Sequence, residues 1–281
     1  MHDVLFIADF FADQINGGGE LNNRILIDCL SDKGYDMACV NSHLVDNEFL
    51  IKNRANKYII SNFISLSPSC RQYIQENFSY AIYEHDHKYL KNRNPAEYKN
   101  YQAPKTEIIN KDFYKKASAI YCQSKLHSEI VNKNLHLENI VNMAGNLWSD
   151  ESLEFMRNIS SKSKKDICSI MDSPTFHKNT GGALKYCYQK GYTYELIPSC
   201  APTNFLERLA NNDKFVFFPL TPETLSRIVV EARMMGMKTI TNKRIGAISE
   251  DWFSLKGSEL VDFMYQKKEQ IVAKVEEFVN E

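Results

Sequence analysis

Phe217-Phe218-Pro219-Leu220-Thr221-Pro222-Glu223-Thr224-Leu225-Ser226-Arg227-Ile228-Val229-Val230-Glu231-Ala232-Arg233-Met234-Met235-Gly236 is the stretch on which the reading of this 281-residue chain turns. The apolar run at residues 215–218 suits a strand buried on both faces. Two prolines then break it. Residues 225–235 space their apolar side chains as a helix does and end before Gly236, a usual helix stop. Strand, loop and helix follow one another here within about two dozen residues, which is the pitch of a βαβ unit.

Outward from this stretch the alternation recurs. In the second half, residues 166–171 and 192–197 read as strands, residues 182–189 and 204–209 as helices, and Thr239-Ile240 starts another strand. In the first half, residues 4–10, 36–40, 58–63, 80–83, 119–122 and 140–143 read as strands. Residues 20–30, 70–78 and 126–132 read as helices, and residues 113–117 close another. Alternating strands and helices predict an α/β chain with two Rossmann-like, doubly wound parallel-sheet domains facing a central cleft. The expected limits are residues 1–150 for the first domain and 151–255 for the second. Residues 256–281, with Leu260, Val261, Met264, Ile271, Val275 and Phe278 near one stripe, predict a helix packing back toward the first. The polar run Ser160-Ser161-Lys162-Ser163-Lys164-Lys165 reads as the linker or a surface loop.

Composition narrows the function classes. Hydrophobic residues make up 43% and charged residues 25%, as in an ordinary globular protein, so wholesale disorder is excluded. The formal net charge of -1 gives no basic excess for a dedicated nucleic-acid binder. The 7 cysteines are widely spaced with no Cys-x-x-Cys, which argues against a disulfide framework or a zinc knuckle. The opening residues lack the basic segment of a secretory leader, and no stretch nears the ~20 apolar residues of a membrane span. A cytoplasmic protein is expected, with peripheral membrane contact left open.

Ligands of doubly wound sheets bind at the carboxyl ends of strands, beside helix N-termini. Glu223 and Glu231 fall there. Eight residues apart on a helix, they lie two turns apart on roughly one side. Each can accept paired hydrogen bonds from sugar hydroxyls, while the N–H groups of Thr224 and Leu225 would hold a diphosphate. Taken alone, such a pair could equally be two solvated acids on a surface helix.

The whole string resembles the donor-site signature of retaining glycosyltransferase family 4, whose members have the GT-B fold. That signature is an apolar strand, Pro, a short loop, Glu, seven residues, Glu-Ala, then Gly and a further strand. The resemblance implies that Glu223 binds the donor sugar and Glu231 the nucleotide ribose. Three more stretches match in order. Gly17-Gly18-Gly19-Glu20 resembles the family's Gly-Gly-x-Glu loop, where glycine lets backbone approach phosphates. Glu84-His85-Asp86-His87 resembles its acceptor-side His-Asp pair, so His85 and Asp86 are expected to position the acceptor or to assist as acid or base. A strand end facing water and a two-histidine metal site are the alternatives for that stretch. Asp172-Ser173-Pro174-Thr175-Phe176-His177-Lys178-Asn179 resembles the stretch whose Arg and Lys bind the diphosphate. Lys178 takes the Lys position, but Ser173 stands where the family has Arg. Arg227, His177 or Lys243 are candidates to compensate. Only one short helix fits between Ile197 and Lys214, where the family has an extra strand-helix unit that helps to frame the base.

The resemblance implies a metal-independent hexosyltransferase using a nucleotide-diphosphate sugar, with no cofactor and a glycan or lipid-linked acceptor. Residues 88–116 interleave eight Lys and Arg with Tyr89, Tyr98, Tyr101 and Tyr114, and read as a solvated loop or as a contact for a lipid phosphate, an acidic glycan or nucleic acid. Three rivals stand beside this reading: a GT-B sugar-nucleotide epimerase, a non-catalytic nucleotide-sugar-binding relative, and a glycosyltransferase acting on DNA bases.

Overall fold

A computed structural model describes residues 2–281 and divides the chain into two compact units. Unit 1 is Met1–Trp148 with Lys268–Glu281, and unit 2 is Ser149–Lys267. In unit 1 the chain runs β1 (His2–Ala8), α1 (Gly18–Asp32), β2 (Met37–Asn41), α2 (Asn47–Lys52), β3 (Ala55–Ile60) and α3 (Pro68–Asn77). It continues with β4 (Tyr80–Tyr83), α4 (Lys111–Lys116), β5 (Ala119–Cys122), α5 (Lys125–Leu135) and β6 (Ile140–Asn142). All strand pairs are parallel, in the order β2-β1-β3-β4-β5-β6.

Strand periodicity sorts the core. Leu5, Ile7, Tyr58, Ile60, Ile82 and Ile120 point to one face, where Leu50, Ile74, Phe113 and Val131 of the helices cover them. Val4, Phe6, Ala8, Ile59, Ala81 and Tyr121 point to the other, against Leu26 and Leu30 of α1. Both faces are dry, which explains the unbroken apolar run of β1. Serine caps place the helices: Ser67 accepts from Cys70 N–H at 3.1 Å and Ser124 from His127 N–H at 3.1 Å. Helix α1 differs, since its N-cap is Gly17 and no side chain bonds its first turn.

Unit 2 runs α6 (Asp150–Ser160), β7 (Lys165–Asp172), α7 (Thr180–Lys190), β8 (Tyr194–Pro198), α8 (Pro202–Ala210), β9 (Asn212–Phe217), α9 (Arg227–Met234), β10 (Lys238–Thr241) and α10 (Ser258–Asn280). Its four strands, again all parallel, are ordered β10-β9-β7-β8. A single helix, α8, links β8 to β9. Helix α10 starts in unit 2, where Asp262 pairs with Arg157 of α6 at 2.6 Å. Its Ile271, Val272, Val275 and Phe278 belong to the second core face of unit 1.

One element was not foreseen and one expectation needs correction. Before the polar run at residues 160–165 lies α6, whose Leu153, Met156 and Ile159 are buried at helical spacing. Helix α9 begins at Arg227 rather than Leu225. Ser226, with φ 72°, sits in the left-handed region, which a running helix does not use. No helix among the described residues is long and apolar enough to cross a membrane.

Candidate functional site

The order of the strands decides which loops meet. In unit 2 the chain steps from β7 out to β8 and returns to β9 on the other side of β7, so β7 and β9 flank the switch point. The loops leaving their carboxyl ends carry Lys178 and Glu223. Lys178 ends a short turn, Phe176–Lys178, and its ammonium lies 2.9 Å from Glu223 Oε1. Asn179 braces the turn: its side chain caps α7 at Gly182 N–H, 3.2 Å, and donates to the Phe218 carbonyl at 2.8 Å.

Glu223 is held by its main chain. Its N–H donates to the Arg244 carbonyl at 2.8 Å, its carbonyl accepts from Gly246 N–H at 2.9 Å, and it forms a parallel bridge with Ile245. Glu223, Thr224 and Leu225 therefore precede α9 in a pinned loop, which corrects their expected place at the helix start. Glu231 lies on α9 and pairs with Arg227 at 3.0 Å, both largely buried. Burial lowers the Arg227 pKa, and Glu231 raises it in part. That pairing commits Arg227 within the helix. His177 and Lys243 are exposed. Ser173 Oγ accepts from Thr175 N–H at 3.2 Å, and its own N–H donates to Thr180 Oγ1 at 3.2 Å, so Ser173 shapes the loop and adds no charge.

Arg244 was not singled out from sequence, where Lys243 beside it was the cation considered. Its carbonyl grips Glu223, and its Nε is buried without a hydrogen-bond partner. Ser226 Oγ is a second buried atom with no partner, one residue before α9. Unpaired buried polar groups are rare in native proteins, and here two fall on segments clamped beside Glu223.

In unit 1 the switch point lies between β1 and β3. After β1 there, Gly17 is the N-cap of α1, and Gly18 and Gly19 form its first turn rather than the loop expected from sequence. Gly19 approaches His85 closely: a Cβ there would stand 3.0 Å from His85 Cγ, so a side chain would have to displace the ring. Glu84 to His87 leave the end of β4 as a loop. His85 is bracketed, with Nε2 2.7 Å from Asn23 Oδ1 and Nδ1 2.5 Å from Gln123 Nε2. These partners fit a neutral ring with the proton on Nε2. Burial, reinforced by the Lys88 charge, holds His85 down at about 3. For Asp86, burial pushes the carboxyl upward, but Lys88 at 2.8 Å and Arg93 at 3.3 Å outweigh it and bring it to about 2. His87 faces inward, 2.9 Å from Tyr89 Oη, and burial lowers it to about 4. Its ring meets His127 edge-on at 5.2 Å. No set of three or more metal-holding side chains occurs among the described residues.

Lys88, Glu84, Tyr114 and His127 complete this cluster and were not singled out from sequence as site residues. Lys88 bonds both Glu84 and Asp86, and Tyr114 donates its hydroxyl to Glu84. Burial, with Asp86 close by, raises Glu84 to about 7 even against Lys88. Asn62 ties Lys88 to Glu20 in the first turn of α1, at 3.3 and 3.2 Å. The basic stretch 88–116 is three short turns and α4, with Tyr89, Leu90 and Tyr114 buried.

No protein-family model matches the sequence, and no curated protein does. Solved structures do. Sucrose-phosphate synthase of Thermosynechococcus elongatus aligns with a TM-score of 0.62 at 8% identity, over 99% of this chain and 98% of that one. The catalytic domain of Arabidopsis thaliana starch synthase IV, bound to ADP and acarbose, gives 0.58 at 10% identity, over 98% and 94%. Anabaena HepE in complex with UDP and glucose gives 0.53 at 12% identity, over 99% and 95%. All three are GT-B glycosyltransferases. With two parallel-sheet α/β units of six and four strands, this chain has the GT-B fold.

Proposed function

We propose that the protein is a retaining glycosyltransferase of the family 4 kind, moving a hexose from a nucleotide-diphosphate sugar to a hydroxyl acceptor. The observation that carries the reading is the Lys178–Glu223 pair, 2.9 Å apart at the switch point of the unit 2 sheet. Glu223, fixed by its main chain, orients the sugar hydroxyls, and Glu231 binds the ribose. The leaving diphosphate draws Lys178 toward itself. Arg244 supplies the second positive charge that Ser173 does not, which gives its buried Nε a partner. The N–H groups that open α9 add partial positive charge. This countercharge is the reason no metal or cofactor enters the proposal, and chelation is expected to leave turnover unchanged.

The acceptor side works by positioning. A general base is most effective with a pKa near the working pH. His85 at about 3 and Asp86 at about 2 lie far below it. Asp86, ionised and a third exposed, accepts a hydrogen bond from the attacking hydroxyl. His85 sets the place of Asn23, Gln123 and Gly19 around it. The proton then passes to an oxygen of the leaving diphosphate, on the face from which it departs.

Ser173 favours one second reading, a non-catalytic nucleotide-sugar-binding relative, because the loop lacks the expected cation. A purified-enzyme assay separates the two. On the catalytic reading, donor turnover falls at least a hundredfold in Lys178→Ala and Arg244→Gln, with melting temperatures preserved, since removal of one oxyanion-stabilising group costs about 10²–10³ in rate. Nucleotide-induced stabilisation without turnover of any donor supports the relative instead.

A further inference from the structure

We propose that unit 1 carries a binding site for a phosphate or carboxylate group of the acceptor, in the pocket formed by Arg71, Lys91 and Arg93; its assignment to the acceptor rests on the glycosyltransferase reading. The pocket is a cavity of about 170 Å³ with Ile64, Leu90 and Ile109 among its lining. A cavity near this size holds one benzene-sized molecule. It accommodates one charged group with a few carbons and is too small for a nucleotide.

Its charge is unbalanced. Lys91 lies 3.6 Å from Glu107 and Arg93 lies 3.3 Å from Asp86. Arg71 is different. It is half-buried, donates to the Leu66 carbonyl, and among the described residues pairs with no carboxylate. Burial works against its charge, yet a guanidinium keeps its proton at ordinary pH. An anion in the pocket gives that charge its missing partner, and the planar fork of Arg71 suits the paired oxygens of a phosphate or carboxylate. Leu90 and Ile109 lie against the carbons that carry the anion.

The pocket also touches the acceptor-side loop. Lys88 and Arg93 both line it and both bond Asp86, at 2.8 and 3.3 Å. An anion there is held next to the carboxylate assigned to the acceptor hydroxyl, so the pocket selects acceptors with a negative group a short distance from the attacking oxygen.

Titration calorimetry with inorganic phosphate and with glycerol phosphate tests the site. Arg71→Gln is expected to weaken binding by about tenfold or more, the worth of one charge-assisted hydrogen bond. Lys91→Glu, at an exposed position where folding is not at risk, weakens it too. Both substitutions are read in a Lys178→Ala background, where the diphosphate site of unit 2 no longer contributes and binding at the unit 1 pocket persists. Co-sedimentation with phosphatidylcholine vesicles, with and without phosphatidylglycerol, identifies the source: capture that needs phosphatidylglycerol and Arg71 points to a lipid phosphate, and binding of glycerol phosphate alone points to a soluble acceptor. Phosphate binding that survives Arg71→Gln and Lys91→Glu in the Lys178→Ala background, or is lost in Lys178→Ala alone, overturns the proposal, as does no binding by the unaltered protein. Failure of the donor reading shows separately, as loss of any nucleotide response while phosphate still binds through Arg71.

Discussion

Replacing Lys88 by methionine removes a buried ammonium shared by two carboxylates of unit 1. Lys88 and Glu84 side chains are 1% and 0% exposed, and Asp86 is one-third exposed. Met nearly preserves the volume, so the loss is electrostatic. Breaking a buried ion pair by deleting one partner costs about 3–5 kcal/mol, because the remaining charge stays buried. Asp86 retains Arg93, whereas Glu84 retains only Tyr114 among its side-chain partners. The penalty therefore falls on Glu84. That carboxyl, already at about 7, can escape by taking up a proton at a cost of about 1.4 kcal/mol for each pH unit above 7, so the cost of Lys88→Met is small near pH 6 and rises to about 3 kcal/mol at pH 9. For a unit of this size that corresponds to roughly 6–12 °C in melting temperature at pH 9, at about 2–4 °C per kcal/mol. Urea denaturation followed by tryptophan fluorescence reads it. Trp148 is buried in unit 1 and Trp252 lies in unit 2, so a Trp252→Phe background isolates the signal. The double variant Glu84→Gln/Lys88→Met removes both charges and is expected to recover much of the loss. A Lys88→Met variant within about 1 kcal/mol of the parent at pH 9 refutes this reading, and so does a double variant no more stable than the single.

Further expectations concern the same loops. His85, His87 and His127 are all held neutral by burial, at about 3, about 4 and well below the ordinary value respectively. Unfolded, each takes up a proton near pH 6.5. Their stabilisation is thus complete above about pH 6.5 and lost as pH falls, while Glu84, whose pKa is raised, acts in the opposite sense between about 4.5 and 7. The balance is a loss of roughly 3 kcal/mol per pH unit between about pH 6.5 and 4.5, visible as a falling urea midpoint; a flat profile there contradicts the burial of these rings. Gly19→Ala pushes a methyl group against the His85 ring and is expected to cost about 1–3 kcal/mol in thermal melts. Gly17→Ala, whose methyl meets only the flexible end of Glu20, is expected to cost less. Equal effects of the two contradict the steric account.

What the sequence revealed follows from how local each signal is. Strands β4 and β5 begin and end at the residues expected, because four apolar residues bounded by polar ones leave little choice of register. Glu223 and Glu231 were legible through spacing and composition. The pinning of Glu223 was not, since it depends on Arg244, Ile245 and Gly246, some twenty residues away and held there by β10. That contact, with the left-handed Ser226, shortens α9 at its start. Helix α6 was obscured because three buried side chains stand among polar neighbours. The cluster around Lys88 joins residues from positions 20 to 127, which only the parallel sheet brings together. A sign for Arg244 was available: it follows β10 at a carboxyl strand end, the place where such sheets hold ligands.

The most direct test of the central claim is a thermal-shift panel of UDP, GDP, ADP and CMP with their sugars, run on the parent protein and on Lys178→Ala and Glu223→Gln. The account predicts that one nucleotide-diphosphate sugar raises the melting temperature of the parent. It predicts that Lys178→Ala loses the response to the bare diphosphate nucleotide as well. Glu223→Gln should keep that response and lose the extra shift given by the sugar. No response to any nucleotide, or a response unchanged in both variants, contradicts the assignment of a nucleotide-sugar site to Lys178 and Glu223.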